Sequence, residues 1–197
     1  MSTLPYEAFA REVRACRLCQ GRYFDHEPRP VFQVDPAARL LLVGQAPGRR
    51  VHASGQPFTD VSGDNLRQWL GVSREQFYNP SFLAILPTAL CYPGTDPGKG
   101  DRPPPPICAP TWHPRFQHYL HPELTLLVGR YAQAYYLRTR ESVSAVVARW
   151  RELLKQGYFP LPHPSPRNRK WLQDRPWFFS ECLPALRETV AAYLPAD

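Results

Sequence analysis

Short apolar runs alternate along the chain with longer stretches whose apolar residues recur at helical spacing. The short runs predict four β-strands, at residues 40–43, 82–86 and 124–128 and in the apolar segment just before His163. The longer stretches predict helices at residues 4–16, 64–71, 131–137, 142–155 and 183–193. Strands that alternate with helices are typical of parallel βα units. We therefore expect an α/β protein with a mainly parallel sheet, folded as one domain over residues 1–197.

Capping residues and turn formers mark the predicted ends of these elements. Asp64 is the predicted N-cap of the second helix. Ser73 and Gln76 have the spacing of a capping box, which predicts a further helical turn after Ser73. Proline and glycine are frequent from the end of the second strand to Pro110, which predicts a long loop there.

Two polar loops follow directly after predicted strands. They read Gly44-Gln45-Ala46-Pro47-Gly48 and His163-Pro164-Ser165-Pro166-Arg167-Asn168. An open α/β sheet binds its ligands at the carboxyl ends of its strands, where such loops lie. The two loops are therefore expected to face each other across one cleft.

The overall charge is basic and comes mostly from arginine. The formal net charge is +7, and lysine occurs only at Lys99, Lys155 and Lys170. Arginine binds phosphate with two parallel hydrogen bonds, so a nucleic-acid partner is one explanation. A genome rich in arginine codons is another, and charge alone does not decide between them. No signal peptide or membrane-spanning run is visible, so we expect a cytoplasmic protein whose five cysteines do not form structural disulfides.

Four of the cysteines have a spacing that suggests a metal centre. Cys16 and Cys19 form a Cys-x-x-Cys pair, and Cys91 and Cys108 flank the proline-rich loop. Four thiolates suit either an iron–sulfur cluster or zinc. Four unrelated buried thiols would explain the spacing equally well, since free cysteine is commonly buried. Cys182 is expected in the core.

Several motifs together resemble the uracil-DNA glycosylase superfamily, and in particular its iron–sulfur branches from bacteria and archaea. The loop at 44–48 is similar to the first motif of those enzymes, and the loop that begins at His163 is similar to the last. Gly55-Gln56-Pro57-Phe58 followed by Ser62-Gly63 resembles the segment that carries their base-stacking phenylalanine. The resemblance implies a three-layer α/β/α domain with a short parallel sheet. It also implies a [4Fe-4S] cluster on Cys16, Cys19, Cys91 and Cys108, with zinc as the alternative.

The same resemblance implies how a damaged base would bind after it is flipped out of DNA. Phe58 would stack on the base, and backbone donors at Gly44, Gln45 and Ala46 would meet its carbonyl groups. His163 would hydrogen-bond the base oxygen on which negative charge develops. The residues implied to contact the DNA strand are Ser165, Arg167, Asn168 and Arg169. Without the resemblance, we would interpret Phe58 as a core residue, and Arg167 and Arg169 as solvent-exposed surface residues.

Two positions depart from the family pattern. The residue after the first glycine is often a carboxylate in these branches, whereas here it is Gln45, which orients water but does not readily take its proton. Asp60 is our candidate for the missing base, with Asp64 as the second choice. The superfamily usually reads uracil with an asparagine at the position of Pro87, where only the adjacent Thr88 offers part of that contact.

These observations predict a monofunctional DNA glycosylase that hydrolyses the N-glycosidic bond of uracil or another deaminated base. Its partner would be single- or double-stranded DNA. We expect a monomer that does not bind a membrane. Lys170 stands in a segment expected to face phosphate, so strand cleavage through a Schiff base is not expected. Two alternatives remain: a non-catalytic DNA-binding protein with an iron–sulfur cluster, and a zinc-stabilised protein that acts on free nucleosides.

Overall fold

A four-stranded parallel sheet forms the centre of the protein. The structure is a computed structural model that describes residues 5–194. Its strands are β1 (Leu40–Val43), β2 (Leu83–Ile85), β3 (Thr95–Asp96), β4 (Gly100–Asp101), β5 (Leu124–Val128) and β6 (Tyr158–Leu161). The central sheet has the order β2-β1-β5-β6, and β3 with β4 forms a separate antiparallel hairpin. The four strands predicted from apolar runs are therefore the four strands of the central sheet.

Helices surround this sheet and account for most of the remaining regular structure. They are α1 (Tyr6–Arg14), α2 (Arg49–Ser54), α3 (Val61–Leu70), α4 (Arg74–Phe77), α5 (Cys108–Phe116), α6 (Gly129–Leu137), α7 (Val143–Ala148), α8 (Trp150–Leu154), α9 (Arg169–Gln173) and α10 (Leu183–Ala191). A 3₁₀ turn at Pro166–Asn168 precedes α9, and a π-helical turn at Phe178–Cys182 leads into α10. In the part of the chain that the structure describes, no helix combines the length and apolar character needed to cross a membrane.

The two faces of the sheet carry separate apolar layers. Leu40 and Leu42 of β1 pack in a layer with α3, α8 and α10, whereas Leu41 and Val43 pack in another with α1, α5 and α6. Successive side chains of a strand point to opposite faces, so a wholly apolar strand needs a cover on both. The three-layer α/β/α architecture is thereby confirmed.

The strand order places a crevice between β1 and β5. These two strands are neighbours, with Leu42 paired to Leu126. The chain leaves β1 towards the α3 layer and leaves β5 towards the α6 layer, on opposite faces of the sheet. Neighbouring strands whose connections diverge leave an opening at their carboxyl ends, and open α/β sheets bind ligands there.

Some predicted boundaries are wrong for identifiable reasons. The N-cap of α3 is Asp60 rather than Asp64, because Asp60 has extended backbone and its side chain accepts the amide N–H of Gly63. The stretch at 142–155 is two helices that meet at Arg149, where the backbone leaves helical geometry. The capping box of Ser73 and Gln76 is confirmed, with both of its hydrogen bonds formed.

The proline-rich segment contains more structure than its composition predicted. The β3–β4 hairpin lies within the predicted loop, and α5 already begins at Cys108 with two prolines in its sequence. The first helix runs from Tyr6 to Arg14, and Leu4, where its prediction began, lies outside the described residues.

A buried histidine ties α5 to the end of β2. His113 is 1% exposed, and its Nε2 lies 3.0 Å from the carbonyl oxygen of Pro87. Its Nδ1 lies 2.8 Å from the hydroxyl of Tyr136 on α6. A neutral ring that donates from Nε2 and accepts at Nδ1 satisfies both contacts. Burial lowers the pKa of His113 to about 4, so it stays neutral at pH 7.

This histidine predicts a loss of stability in mild acid. Its pKa is about 6.5 when unfolded and about 4 when folded, so the unfolded chain binds the extra proton between these values. The contribution is intact above pH 6.5 and shrinks as the pH falls to 4, by about 3 kcal/mol. Urea unfolding at several pH values measures the free energy of unfolding. Between pH 6.5 and pH 4 this free energy should fall less in His113→Gln than in the unchanged protein. Equal losses would contradict the assignment.

Candidate active site

A cavity opens at the carboxyl ends of β1 and β5. Its volume is about 110 Å³, several times the roughly 10–15 Å³ that one water molecule requires. Both sequence motifs border it, as do polar side chains that the sequence placed in other segments. The residues that line the cavity include Gly44, Gln45, Ala46, Phe58, Asp60, Ser62, Pro87, Asp101 and His163.

The loop after β1 is fixed by backbone bonds to the segment after β2. The amide of Thr88 donates to the carbonyl of Gly44, and the amide of Ala89 donates to that of Gln45. The Thr88 hydroxyl also donates to the Gln45 carbonyl, at 2.6 Å. The amides of Gln45 and Ala46 make no bond within the described part of the chain, so they remain available as donors. Thr88 is 4% exposed and does not line the cavity, and its hydrogen bonds support the loop.

Phe58 is held in a backbone conformation that few residues adopt. Its φ is +54°, in the left-handed region that disfavours side chains. Its carbonyl accepts hydrogen bonds from the Tyr78 hydroxyl and from the buried Arg67 guanidinium, at 3.0 and 3.2 Å. The ring lies against Gly44, where an added Cβ would stand 3.4 Å from its edge. A set of contacts from α3 and the segment after α4 thus fixes the ring at the cavity wall.

His163 is oriented by its own loop and by a glycine beneath it. The amide of Ser165 donates to Nδ1 at 3.2 Å, which leaves the proton of the neutral ring on Nε2. The Asn168 side chain donates to the His163 carbonyl, and the Asn65 side chain donates to the carbonyl of Pro164. A Cβ at Gly129, at the end of β5, would lie 3.7 Å from the His163 Cβ. Burial lowers the pKa of His163, and the nearby carboxylates oppose this shift only in part.

Two carboxylates border the same cavity as His163. Asp60, the N-cap of α3, was expected from the sequence. Asp101 was not, because it lies on β4 in a segment read as a loop. The Thr95 hydroxyl donates to one Asp101 oxygen at 2.6 Å, and the other lies 3.5 Å from the place of a Gly48 Cβ. Asp64 does not line the cavity and pairs with Arg67, so it is not a base here.

The comparison with known families agrees with this arrangement. A family model described as the Uracil DNA glycosylase superfamily matches residues 31–187. The chain belongs to this superfamily. It is also similar to the type-4 uracil-DNA glycosylase of Saccharolobus solfataricus, with 27% identity over 185 residues that cover 85% of this chain and 82% of the relative. The resemblance inferred from the motifs is thus confirmed.

The Pro87 position, where the superfamily pattern has asparagine, presents no polar side chain to the cavity. Pro87 lines the cavity wall, and its carbonyl faces the buried His113. The cavity's polar side chains therefore come from elsewhere: Gln45, Asp60, Ser62, Asp101 and His163.

Outside the cavity lies a wider mouth of about 680 Å³. Ser165, Arg167 and Asn168 line it, and Arg167 reaches across to the hairpin, where an added Cβ at Gly100 would touch its guanidinium. Arg169 lies in an adjoining groove. Lys99, at the hairpin turn, also lines the mouth, which the sequence did not indicate. None of these three cations forms an ion pair with another described residue.

The four cysteines of interest border one pocket on the far side of the loop that follows β2. Cys16, Cys19, Cys91 and Cys108 line it together with apolar side chains, and all four are free thiols. The Leu90 amide donates to the Cys108 sulfur at 3.3 Å. Burial and the neighbouring thiols raise the pKa of Cys91 to about 12, and burial raises that of Cys108 to about 12. Across residues 5–194, no three His, Cys, Asp or Glu side chains form a site for one metal ion. Cys182 is fully buried in the core, as expected.

Gly63 provides a test of how Phe58 is positioned. A Cβ at Gly63 would clash with the Phe58 carbonyl oxygen, which is fixed backbone. Gly63→Ala should therefore displace the ring and lower stability by about 1–3 kcal/mol. Urea unfolding measures the loss, and near-ultraviolet circular dichroism reports the aromatic environment.

Gly98→Ala is the matched control, because nothing lies within 4 Å of its added methyl group. The φ of Gly98 is +73°, so its alanine variant should lose about 1 kcal/mol of unfolding free energy to backbone strain alone. A Gly63→Ala protein as stable as the unchanged one would show that the Phe58 segment does not pack on α3 as described.

Proposed function

We propose that this protein is a DNA glycosylase of base-excision repair, which hydrolyses the N-glycosidic bond of a deaminated base flipped out of DNA. The observation that carries the proposal is the oriented, neutral His163 at a cavity that Phe58 also lines. Membership of the superfamily and the similarity to a type-4 uracil-DNA glycosylase support it. A protein with this substrate works where the genome is, which agrees with the cytoplasmic location expected from the sequence.

In this proposal the flipped base stacks on Phe58. The free amides of Gln45 and Ala46 donate to its carbonyl oxygens. The Nε2–H of His163 donates to the oxygen that gains negative charge as the glycosidic bond breaks. A neutral histidine suits this task, because burial has already lowered its pKa and it keeps a proton on Nε2 at pH 7.

The attacking water requires a base, and Gln45 accepts no proton readily. Water adds its oxygen to C1′ of the sugar, the electron pair of the C–N bond leaves with the base, and the water proton passes to a carboxylate. We assign this role to Asp60, which lines the same cavity as His163. The N-cap bond from Gly63 occupies one Asp60 oxygen and leaves the other for water. Gln45 orients the water.

Uracil is the first base to test, although the cavity lacks the usual asparagine. A deaminated base carries a ring N–H beside the new carbonyl group, and a carboxylate accepts such an N–H. Asp101 is positioned at the cavity wall for this contact, which Pro87 and Thr88 do not supply. Hypoxanthine and xanthine share the same pair of groups, so they belong to the proposed substrate class.

Base release from oligonucleotides with uracil, hypoxanthine or xanthine, single-stranded and paired, tests the chemistry. Single-turnover rates should fall about 10²- to 10³-fold in His163→Ala through loss of the oxyanion donor. Asp60→Asn should lower them about 10²- to 10⁴-fold, as expected for a general base. Asp101→Asn should weaken binding of all three bases, because each carries the ring N–H that the carboxylate accepts.

The matched control is His118→Ala, which removes an exposed histidine beyond the end of α5. It should keep both base release and DNA binding. If the unchanged protein binds DNA but releases no base from any substrate, the alternative of a non-catalytic DNA-binding member is correct. The departures at Gln45 and Pro87 favour that alternative, and the orientation of His163 opposes it.

We further propose that Cys16, Cys19, Cys91 and Cys108 hold a [4Fe-4S] cluster. A cluster binds one thiolate at each iron, so its ligands surround a pocket instead of converging on one point. The four thiols line one pocket, which supports a shared centre, and within residues 5–194 no three of them converge on a single metal ion such as zinc. The Leu90 amide hydrogen bond suits a ligated sulfur. Burial raises the pKa of Cys91 and Cys108, and a bound metal centre would supply the positive charge that stabilises their thiolate forms.

Iron and acid-labile sulfide analysis, with the visible absorption spectrum, tests the cluster. Cys91→Ser should lose iron and visible absorption. Cys182→Ser is the matched control, because it changes a buried thiol in the core, away from the pocket, and should keep both. Zinc in the unchanged protein, or full iron content in Cys91→Ser, would refute the assignment.

A further inference from the structure

A groove continues from the mouth of the cavity along α3 and α9. It shares Val61, Ser165 and Pro166 with the mouth and extends to Arg169 and Phe179, with a volume of about 390 Å³. The cavity, the mouth and this groove therefore form one continuous surface. We call the outer part, lined by Val61, Arg169 and Phe179, the side groove.

The side groove concentrates exposed apolar surface. In the part of the chain that the structure describes, three large apolar side chains are exposed: Leu18, Val61 and Phe179. Two of them line the side groove, where Val61 is 53% and Phe179 is 50% exposed. Clustering of exposed apolar residues beside a cleft marks a binding surface more often than chance placement does.

Phe179 is held rigidly although half of its surface is exposed. It lies in the π-helical turn, next to the fully buried Phe178, whose ring packs edge-on against Trp69 at 5.0 Å and against Phe179 at 5.6 Å. The amide of Phe179 donates to the carbonyl of Pro176. An exposed aromatic ring with an anchored backbone offers a stacking surface at low entropic cost.

The charge at this surface favours an anionic partner. Arg167, Arg169 and Lys170 are exposed, and none of them is ion-paired with another residue between 5 and 194. Free cations beside an exposed aromatic ring are the combination that binds single-stranded nucleic acid, with phosphate on the cations and a base on the ring.

We propose that the side groove binds the nucleotide next to the flipped one, with its base stacked on Phe179 and its phosphate at Arg169. This rests on the proposed function, since the cavity must hold the flipped base. In duplex DNA the neighbouring base is already stacked and paired, so only an unpaired strand gains this contact. The side groove therefore favours single-stranded or locally melted DNA over intact duplex.

A double-mutant cycle, which combines changes in the protein with changes in a single-stranded DNA probe, tests this contact directly. The probe is a labelled oligonucleotide with a tetrahydrofuran abasic site in the flipped position, so no knowledge of the preferred base is needed. Phe179→Ala should weaken its binding about 5- to 150-fold, the range for one lost base–aromatic stack. Phe179→Tyr should restore binding, whereas Phe179→Leu, which stays apolar, should not.

The neighbouring base is then removed from the probe, on one side of the abasic site and then on the other. If that base stacks on Phe179, its removal should weaken binding by the unchanged protein but have little further effect on Phe179→Ala. Arg169→Ala should lower the salt dependence of single-strand binding, with a log–log slope smaller by about 0.7.

The proposal would be overturned if Phe179→Ala and removal of the neighbouring base had additive effects on binding, whichever side of the abasic site the base was removed from. It would also be overturned if Phe179→Ala weakened binding of duplex and single-stranded probes equally. Base release is measured in parallel, so the two proposals fail separately. Coupling without base release would leave the side groove established and refute the glycosylase activity. Base release without coupling would do the reverse.

Discussion

The site depends on the divergence of two neighbouring strands. β1 and β5 pair along their whole length, but the chain leaves one towards the α3 layer and the other towards the α6 layer. The opening between them requires only residues with small side chains where the two strands end. Gly44 follows β1 and gives room to the Phe58 ring, and Gly129 follows β5 and gives room to His163. The topology creates the cavity, and the loops supply its chemistry.

Hydrogen bonds to backbone carbonyl groups, more than pairs of side chains, fix the groups around this cavity. The Phe58 carbonyl, the His163 carbonyl and the Gln45 carbonyl each accept a hydrogen bond from another element or from their own loop. The groups that would meet a base are thereby positioned before it arrives, which lowers the entropic cost of binding. The segment after β2 serves two sites, because Thr88 and Ala89 hold Gln45 while Leu90 donates to the Cys108 sulfur.

Sequence reasoning was most successful where one residue type had one physical use. The apolar run at Leu40–Val43 and the run at Leu124–Val128, whose one polar residue is Thr125, predicted buried parallel strands, since both of their faces need cover. It was less successful where a residue had two uses. Asp60 and Asp64 both suit an N-cap, and only the backbone before Val61 decides between them. Asp101 and Arg67 reach the site through tertiary packing, so neither a motif nor a period marks them.

The order of strands also constrains how the chain folds during synthesis. All four residues of β1 are buried, and all four pair with β5, which is made much later. Until Val128 has emerged, one edge of β1 has no partner, and a nascent chain exposes an apolar strand edge that invites aggregation. Parallel pairing over long separations is slow. The same adjacency that opens the cavity therefore leaves the growing chain with an unpaired apolar strand edge until β5 has been synthesised.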